Sequence, residues 1–161
     1  MPDLLVKLYD LPESAAVLER LQGTGIAIRR ALAVEKTTIT EWVCEHFSKG
    51  WSRECEIAFA RQPVGCIIAA QGDTLCGFAC HGILCPDFFG PIGVAAEWQK
   101  RDVGTALLLA GLHALRAQGY AYAIIGWAGP VAFFERTVGA TIIENSEPGP
   151  YRGILRDTKT K

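Results

Sequence analysis

The chain has no excess of charge: 16 basic residues stand against 17 acidic ones, a formal net charge of -1 over 161 residues. That excludes the basic face on which non-specific nucleic-acid binding depends. It has no long apolar run either. The longest apolar stretch, Ala106 to Leu115, is interrupted by His113 and is too short to span a bilayer. The first residues, Met1-Pro2-Asp3-Leu4, carry neither the basic region nor the apolar core of a secretory leader, so the expected location is the cytoplasm. No repeat, low-complexity segment or linker divides the sequence, and residues 1–161 are enough for one domain with a full core. None of the six cysteines forms a Cys-x-x-Cys pair, and His46, His81 and His113 are scattered. The spacing therefore predicts no metal site. A disulfide framework would suit a smaller, secreted domain. Most of the cysteines lie in apolar runs such as Gly65-Cys66-Ile67-Ile68-Ala69 and read as buried free thiols acting as small hydrophobes. Neither Gly-Lys-Ser/Thr nor Gly-x-Gly-x-x-Gly is present, which excludes a P-loop and a dinucleotide fingerprint.

What is there reads as alternating elements. Leu4 to Tyr9 predicts a strand and Glu13 to Leu21 a helix, stopped by Gly23 and Gly25. Ile26 to Leu32 predicts a strand. Glu35 to Phe47 predicts a helix with Ile39, Trp42, Val43 and Phe47 on one face, ended by Gly50. Cys55 to Ala60 reads as a strand. Val64 to Ala70 and Leu75 to Cys85 flank Gln71-Gly72-Asp73-Thr74, a hairpin signal. Phe88 to Val94 predicts another strand, Gly104 to Gln118 a helix and Tyr122 to Trp127 a buried strand. Gly129-Pro130 opens a helix to Val138. Ala140 to Ile143 and Tyr151 to Leu155 read as closing strands. The expected fold class is α/β (α+β): a mixed, mainly antiparallel central sheet flanked by helices.

The stretch that carries chemistry is Val94-Ala95-Ala96-Glu97-Trp98-Gln99-Lys100-Arg101-Asp102-Val103-Gly104-Thr105. An apolar strand ends, a basic loop follows, and an Ala/Leu-rich helix begins beside a glycine. Free backbone N–H groups at a helix N-terminus next to two cations suit a phosphate or diphosphate.

This loop resembles the acetyl-CoA loop, Gln/Arg-x-x-Gly-x-Gly/Ala, of the GNAT (Gcn5-related) N-acetyltransferase superfamily. Arg101 to Ala106 fits that pattern letter for letter. The spacing from the strand-ending Val94 instead selects Gln99 to Gly104, with Asp102 in place of the first glycine. Asp102 tolerates a left-handed turn better than most residues. Its negative charge, which Lys100 and Arg101 must offset, predicts weaker binding than glycine would give.

The resemblance implies an N-acetyltransferase of GNAT-like acyl-CoA N-acyltransferase fold, with acetyl-CoA as co-substrate. The acceptor would be a primary amine of a small molecule or peptide, which attacks the thioester directly. It places the cofactor on Ile92, Val94, Gln99, Lys100, Arg101, Asp102, Val103, Gly104, Thr105 and Phe133, with the Val94 backbone N–H as oxyanion donor. Where the family often carries a catalytic tyrosine, this chain has Phe134, and Trp127 stands where many members have asparagine. No carboxylate lies on Phe88 to Val94, so the candidate bases are Glu56, Glu54 and His81, followed by Asp87. His81 would titrate near neutrality. Glu54 and Glu56 would share one face of a strand. Trp51 and Tyr151 are candidate walls of an acceptor pocket. Homodimers are common among such proteins. Three alternatives stay open: a GNAT-fold acyl-CoA sensor without turnover, an α/β module binding another phosphate ligand such as a nucleotide, and a redox or metal protein built on the cysteines.

Overall fold

The computed structural model describes residues 1–155. Seven strands form one sheet in the order β2-β3-β4-β5-β6-β1-β7. They are β1 (Leu4–Lys7), β2 (Ile26–Arg30), β3 (Cys66–Gln71), β4 (Thr74–His81), β5 (Phe88–Val94), β6 (Tyr122–Ile125) and β7 (Thr141–Ile142). Every neighbouring pair is antiparallel except β5 and β6, which run parallel. The mixed, mainly antiparallel sheet expected from the sequence is what forms.

Among the described residues, five helices cover the two faces: α1 (Ala15–Gly23), α2 (Lys36–His46), α3 (Lys49–Phe59), α4 (Val103–Ala117) and α5 (Val131–Val138). The larger core lies beneath α1, α4 and α5. It joins Val17 and Leu21 to Leu107, Leu108, Leu112 and Leu115, and to Phe89, Ile125 and Phe134. The four α4 leucines named are fully buried, each worth about 2 kcal/mol of transfer free energy. Such wide apolar coverage is what a helix needs when it is packed on more than one side. The smaller core lies beneath α2 and α3, where Ile39, Val43, Cys55 and Ala58 meet Cys66, Ile68, Phe78 and Cys80. No helix among the described residues is long and apolar enough to cross a membrane.

Two expected strands are corrected. Cys55 to Ala60 is the second half of α3. Ser48 caps that helix, its Oγ accepting from the Trp51 N–H at 3.1 Å. The buried positions Ser52, Cys55, Ala58 and Phe59 follow a helical spacing. Gly50, expected to end the preceding helix, sits in the first turn of α3. Tyr151 to Leu155 does not pair; Gly149–Tyr151 forms a 3-10 turn instead. Pro148 and Pro150 supply no N–H, and Gly149 takes a φ of +58°.

The sheet parts in the middle. β5 pairs with β4 as far as Val94, but it meets β6 only at Phe88↔Ile124 and Phe89↔Ile125. Beyond these pairs β6 ends, and β5 carries Gly90-Pro91, where proline has no N–H to give a ladder. Between His81↔Phe89 and Ala79↔Ile92, β5 spends one residue more than β4, a bulge. The bulge changes the phase of β5, so Phe89, Ile92 and Val94 all turn toward the α4 core.

Close packing of β5 on α4 is testable at Gly111. A Cβ there would stand 2.5 Å from Phe89 Cε2, and Phe89 is only 1% exposed. Glycine to alanine normally stabilises a helix by about 1 kcal/mol. Overpacking a core costs about 1–3 kcal/mol. Gly111→Ala is therefore expected to lower the denaturant midpoint with an unchanged slope; a raised midpoint would contradict the close contact.

Candidate functional site

The loop between β5 and α4 begins with a 3-10 turn, Ala96–Trp98. Asp102 (φ 63°) takes the left-handed conformation that aspartate tolerates, and so does Lys100 (φ 59°), which the sequence did not suggest. Gln99 Nε2 donates to the Val94 carbonyl at 3.1 Å. The Arg101 guanidinium lies over the Trp98 ring, 5.3 Å from its centroid. Asp102 is the N-cap residue of α4, but its side chain makes no cap bond. Its carboxylate turns to α1 instead, where Arg20 Nε and Nη2 donate to Oδ2 at 3.2 and 3.0 Å. Arg20 thus offsets the charge that Lys100 and Arg101 alone were expected to balance.

Among the described residues, no backbone carbonyl accepts from the N–H groups of Val103, Gly104 or Thr105; the first bond of the helix runs from the Ala106 N–H to Asp102. A Cβ at Gly104 would meet Val94 Cγ2 at 3.7 Å and Phe133 Cζ at 3.8 Å, ordinary contacts. The protein itself has room for a side chain there, and the glycine leaves that space open in front of the helix N-terminus. Phe133, Ile92 and Val94 are half-buried around it. A second hollow of about 230 Å³ borders the loop, lined by Arg20, Thr24, Trp98, Arg101 and Asp102.

The open edge of β5 faces the parting of the sheet. The Ala95 N–H donates to Cys76 in β4, and in an antiparallel ladder such bonds alternate. The N–H groups of Val94 and Ile92 therefore point away from β4, toward the gap. The gap is a cavity in two connected parts. The smaller, about 90 Å³, is lined by Ile92, Ile125, Ala128 and Phe134. The larger, about 350 Å³, is lined by Trp51, Glu54, Phe88, Trp127 and Tyr151. Both share Trp51, Gly90, Pro91, Gly126, Trp127, Gly129 and Pro130, so a passage runs between the parted strands from the α5 side toward α3.

The two glutamates do not share a face. On helix α3 they are two positions apart, which sends Glu56 to the exposed surface while Glu54 is half-buried and lines the larger cavity. Burial raises the Glu54 pKa above the usual carboxylate value. Opposite it, Tyr151 and Trp127 lie with ring centroids 4.3 Å apart. Burial, and secondarily the charges of Glu54 and Asp3, push the Tyr151 hydroxyl up to about 12. Asp3 fixes this wall. It is buried; its Oδ1 accepts from the Trp127 N–H at 3.0 Å, and its own N–H donates to Ser146 Oγ at 2.8 Å. Trp51 and Tyr151 were legible from the sequence as cavity walls, whereas Asp3 and Arg20 carried no signal there.

His81 does not reach this passage. It is 2% exposed in β4, lines a separate hollow with Arg61, Gln118 and Tyr120, and its Nε2 has no partner. Burial, helped by the charge of Arg30, lowers its pKa to about 4 rather than leaving it near neutrality. Three cysteines far apart in sequence meet beneath α3: Cys55, Cys66 and Cys80, all buried.

The sequence matches the family model described as "Acetyltransferase (GNAT) family" over residues 36–139. No curated protein matches it. Among solved structures, it is similar to a GCN5-related glucosamine N-acetyltransferase region of a fungal multi-domain GH3 beta-N-acetylglucosaminidase. The TM-score is 0.72 at 15% identity, over 88% of this chain and 19% of that one. A GCN5-related N-acetyltransferase from Sphaerobacter thermophilus gives 0.67 at 17% identity, over 88% and 48%. An aminoglycoside acetyltransferase from an uncultured soil metagenomic sample, in complex with trehalose, gives 0.53 at 12% identity, over 71% and 88%. This chain thus spans less than half the length of the first two, and at these identities the likeness is one of fold.

The buried neutral His81 makes stability fall with acid. Below pH 6.5 the unfolded chain takes up a proton that the folded chain refuses until about pH 4, so stability rises with pH across that window. Between pH 7 and pH 5 this group alone should cost about 2 kcal/mol. Denaturant unfolding of wild type and His81→Gln at both pH values checks it. The wild type should lose more, by roughly that amount; equal losses would show that His81 is not held neutral.

Proposed function

The chain belongs to the acetyltransferase (GNAT) family, and from that premise we propose that it transfers the acetyl group of acetyl-CoA to the primary amine of a small molecule. The observation that carries this reading is the passage between the parted strands, lined on its α3 side by a half-buried carboxylate and bordered by β5, the strand that leads to the unbonded amides at the start of α4. In the proposed complex the diphosphate lies on the N–H groups of Val103, Gly104 and Thr105, with Lys100 and Arg101 beside it. The pantetheine arm runs along the open edge of β5, past Ile92 and Val94 and under Phe133. The thioester then sits where the strands part, beside the open edge of β5.

The acceptor enters from the larger cavity. Its walls carry Trp51, Trp127 and Tyr151, and its one carboxylate among the described residues is Glu54, a combination that suits a small amine with a flat or apolar body. An ammonium has no lone pair, so its proton must leave first, and Glu54 takes it. Burial makes that carboxylate a stronger base than a solvated one. The nitrogen attacks the carbonyl carbon, the Val94 N–H steadies the oxygen as it gains charge, and the carbon–sulfur bond breaks. Coenzyme A leaves as a thiolate, a fair leaving group without an acid, and the second proton of the acylated nitrogen passes to solvent. Phe134 is 2% exposed and has no proton to give. That one residue favours the second reading, in which the chain binds acyl-CoA as a sensor without turnover.

Release of free coenzyme A with a panel of amines, among them glucosamine, an aminoglycoside and an arylalkylamine, tests the first reading against the second. Binding without release for every amine would leave only the sensor. In an active pair, Glu54→Gln should lower kcat by about 100-fold or more, while Glu56→Gln stays within about twofold, as an exposed residue outside the passage should. The rate should climb with pH as Glu54 loses its proton, and that limb should vanish in the glutamine variant. Asp102→Gly removes a negative charge beside the diphosphate. It should tighten acetyl-CoA binding by about two- to fivefold in calorimetry, the worth of one exposed charge pair.

A further inference from the structure

Cys66 and Cys80 are direct cross-strand partners in β3 and β4, and their side chains rise from the same face of the sheet. Cys55 descends onto them from α3. All three residues are completely buried, and their sulfur atoms lie within 4.8 Å of one another, with Cys55 and Cys66 at 4.0 Å. Three separate elements thus bring three thiols to one point. No histidine or carboxylate joins the group among the described residues. The remaining cysteines lie elsewhere: Cys76 belongs to the other core, Cys44 is exposed and Cys85 is half-buried.

A thiolate binds a soft metal at about 2.3 Å. Three such ligands around one ion in a plane stand about 4.0 Å apart, the separation of Cys55 and Cys66. Soft sulfur ligands select monovalent copper or zinc. Zinc seeks a fourth ligand, a protein group or a water molecule. Here the hydrophobic neighbours are Ile68, Phe78, Ala58 and Val43, and no histidine or carboxylate among the described residues supplies a fourth ligand.

We propose that Cys55, Cys66 and Cys80 form a binding site for a single monovalent copper ion, held by three sulfurs beneath α3. Binding breaks S–H bonds, forms Cu–S bonds and releases the thiol protons to solvent; no electron moves. With every sulfur at 0% exposure, the ion enters as α3 closes over the sheet, and once in place it ties that helix to β3 and β4. The site stands apart from the passage between β5 and β6, so it holds whether or not the transferase reading does.

The test uses the full-length chain with Cys44→Ser and Cys85→Ser, which removes the two accessible thiols. It is unfolded and refolded without oxygen in the presence of tetrakis(acetonitrile)copper(I), or of zinc chloride in a parallel sample, then dialysed against a weak chelator. The expected result is one copper per chain, a melting temperature several degrees above the metal-free protein, and a copper–sulfur shell of three in X-ray absorption. Cys66→Ala and Cys80→Ala should each abolish retention. Cys76→Ala, which cuts a cavity of similar size in the other core, should keep the ion and so controls for packing loss. Several outcomes would overturn the proposal: no retained copper, retention unchanged in Cys66→Ala, or zinc held in preference.

Discussion

The rest of the structure depends on the parting of two parallel strands. β5 and β6 share two residue pairs and then separate, although the interior of a sheet is where unpaired N–H and C=O groups are least tolerated. The separation holds because each strand is secured on its far side, β5 by β4 and β6 by β1. Pro91 removes the donor that would otherwise draw β6 along, and the bulge beside it turns Ile92 and Val94 onto the core that anchors α4. One local departure from regular pairing thus supplies an unpaired strand edge, a passage through the sheet and the direction from which α4 approaches that passage.

Charge is distributed around that passage with a polarity. Outside it, the loop after β5 carries Lys100 and Arg101, and Arg20 of α1 pairs with Asp102, all solvent-facing. The α3 side of the passage carries Glu54, sheltered between Trp51 and the Trp127–Tyr151 pair. In the proposed reaction, a polyanion and an ammonium would each be drawn to opposite ends of the site. The cationic end is exposed and screened by salt, so backbone amides there matter more than side-chain charge. The acidic end lies in a poorer dielectric, where a single carboxylate is felt more strongly.

How far the sequence revealed this differs from part to part. β5, the basic loop and α4 were legible, because a strand-length apolar run, a cluster of turn-forming residues and a leucine helix each speak through local periodicity. α3 was not. Cys55-Glu56-Ile57 alternates over too few residues to separate a strand from a helix, and the deciding signal, the Ser48 cap, stands seven positions upstream of Cys55. The error hid a functional distinction: on a strand Glu54 and Glu56 are equivalent, while on a helix one lines the passage and the other faces water. The thiol cluster was illegible for a different reason. Its members come from one helix and two strands, so only the register Cys66↔Cys80 and the docking of α3 bring them together. Asp3 was hidden likewise, since its partners Trp127 and Ser146 lie 124 and 143 positions away.

That last separation bears on how the molecule assembles. β1 lies between β6 and β7, so the wall opposite Glu54 is completed by the earliest stretch of the chain meeting one of its latest. Contacts so distant in sequence require closure of a very long loop before they return any enthalpy. The hairpin of β3 and β4 has no such burden, nor does the α2–α3 pair. A core built on β3, β4, β5 and α4 can therefore form first, with the wall around Trp127 and Asp3 arriving last. A wall that forms last is also one that local unfolding can open first, leaving the loop between β5 and α4 intact.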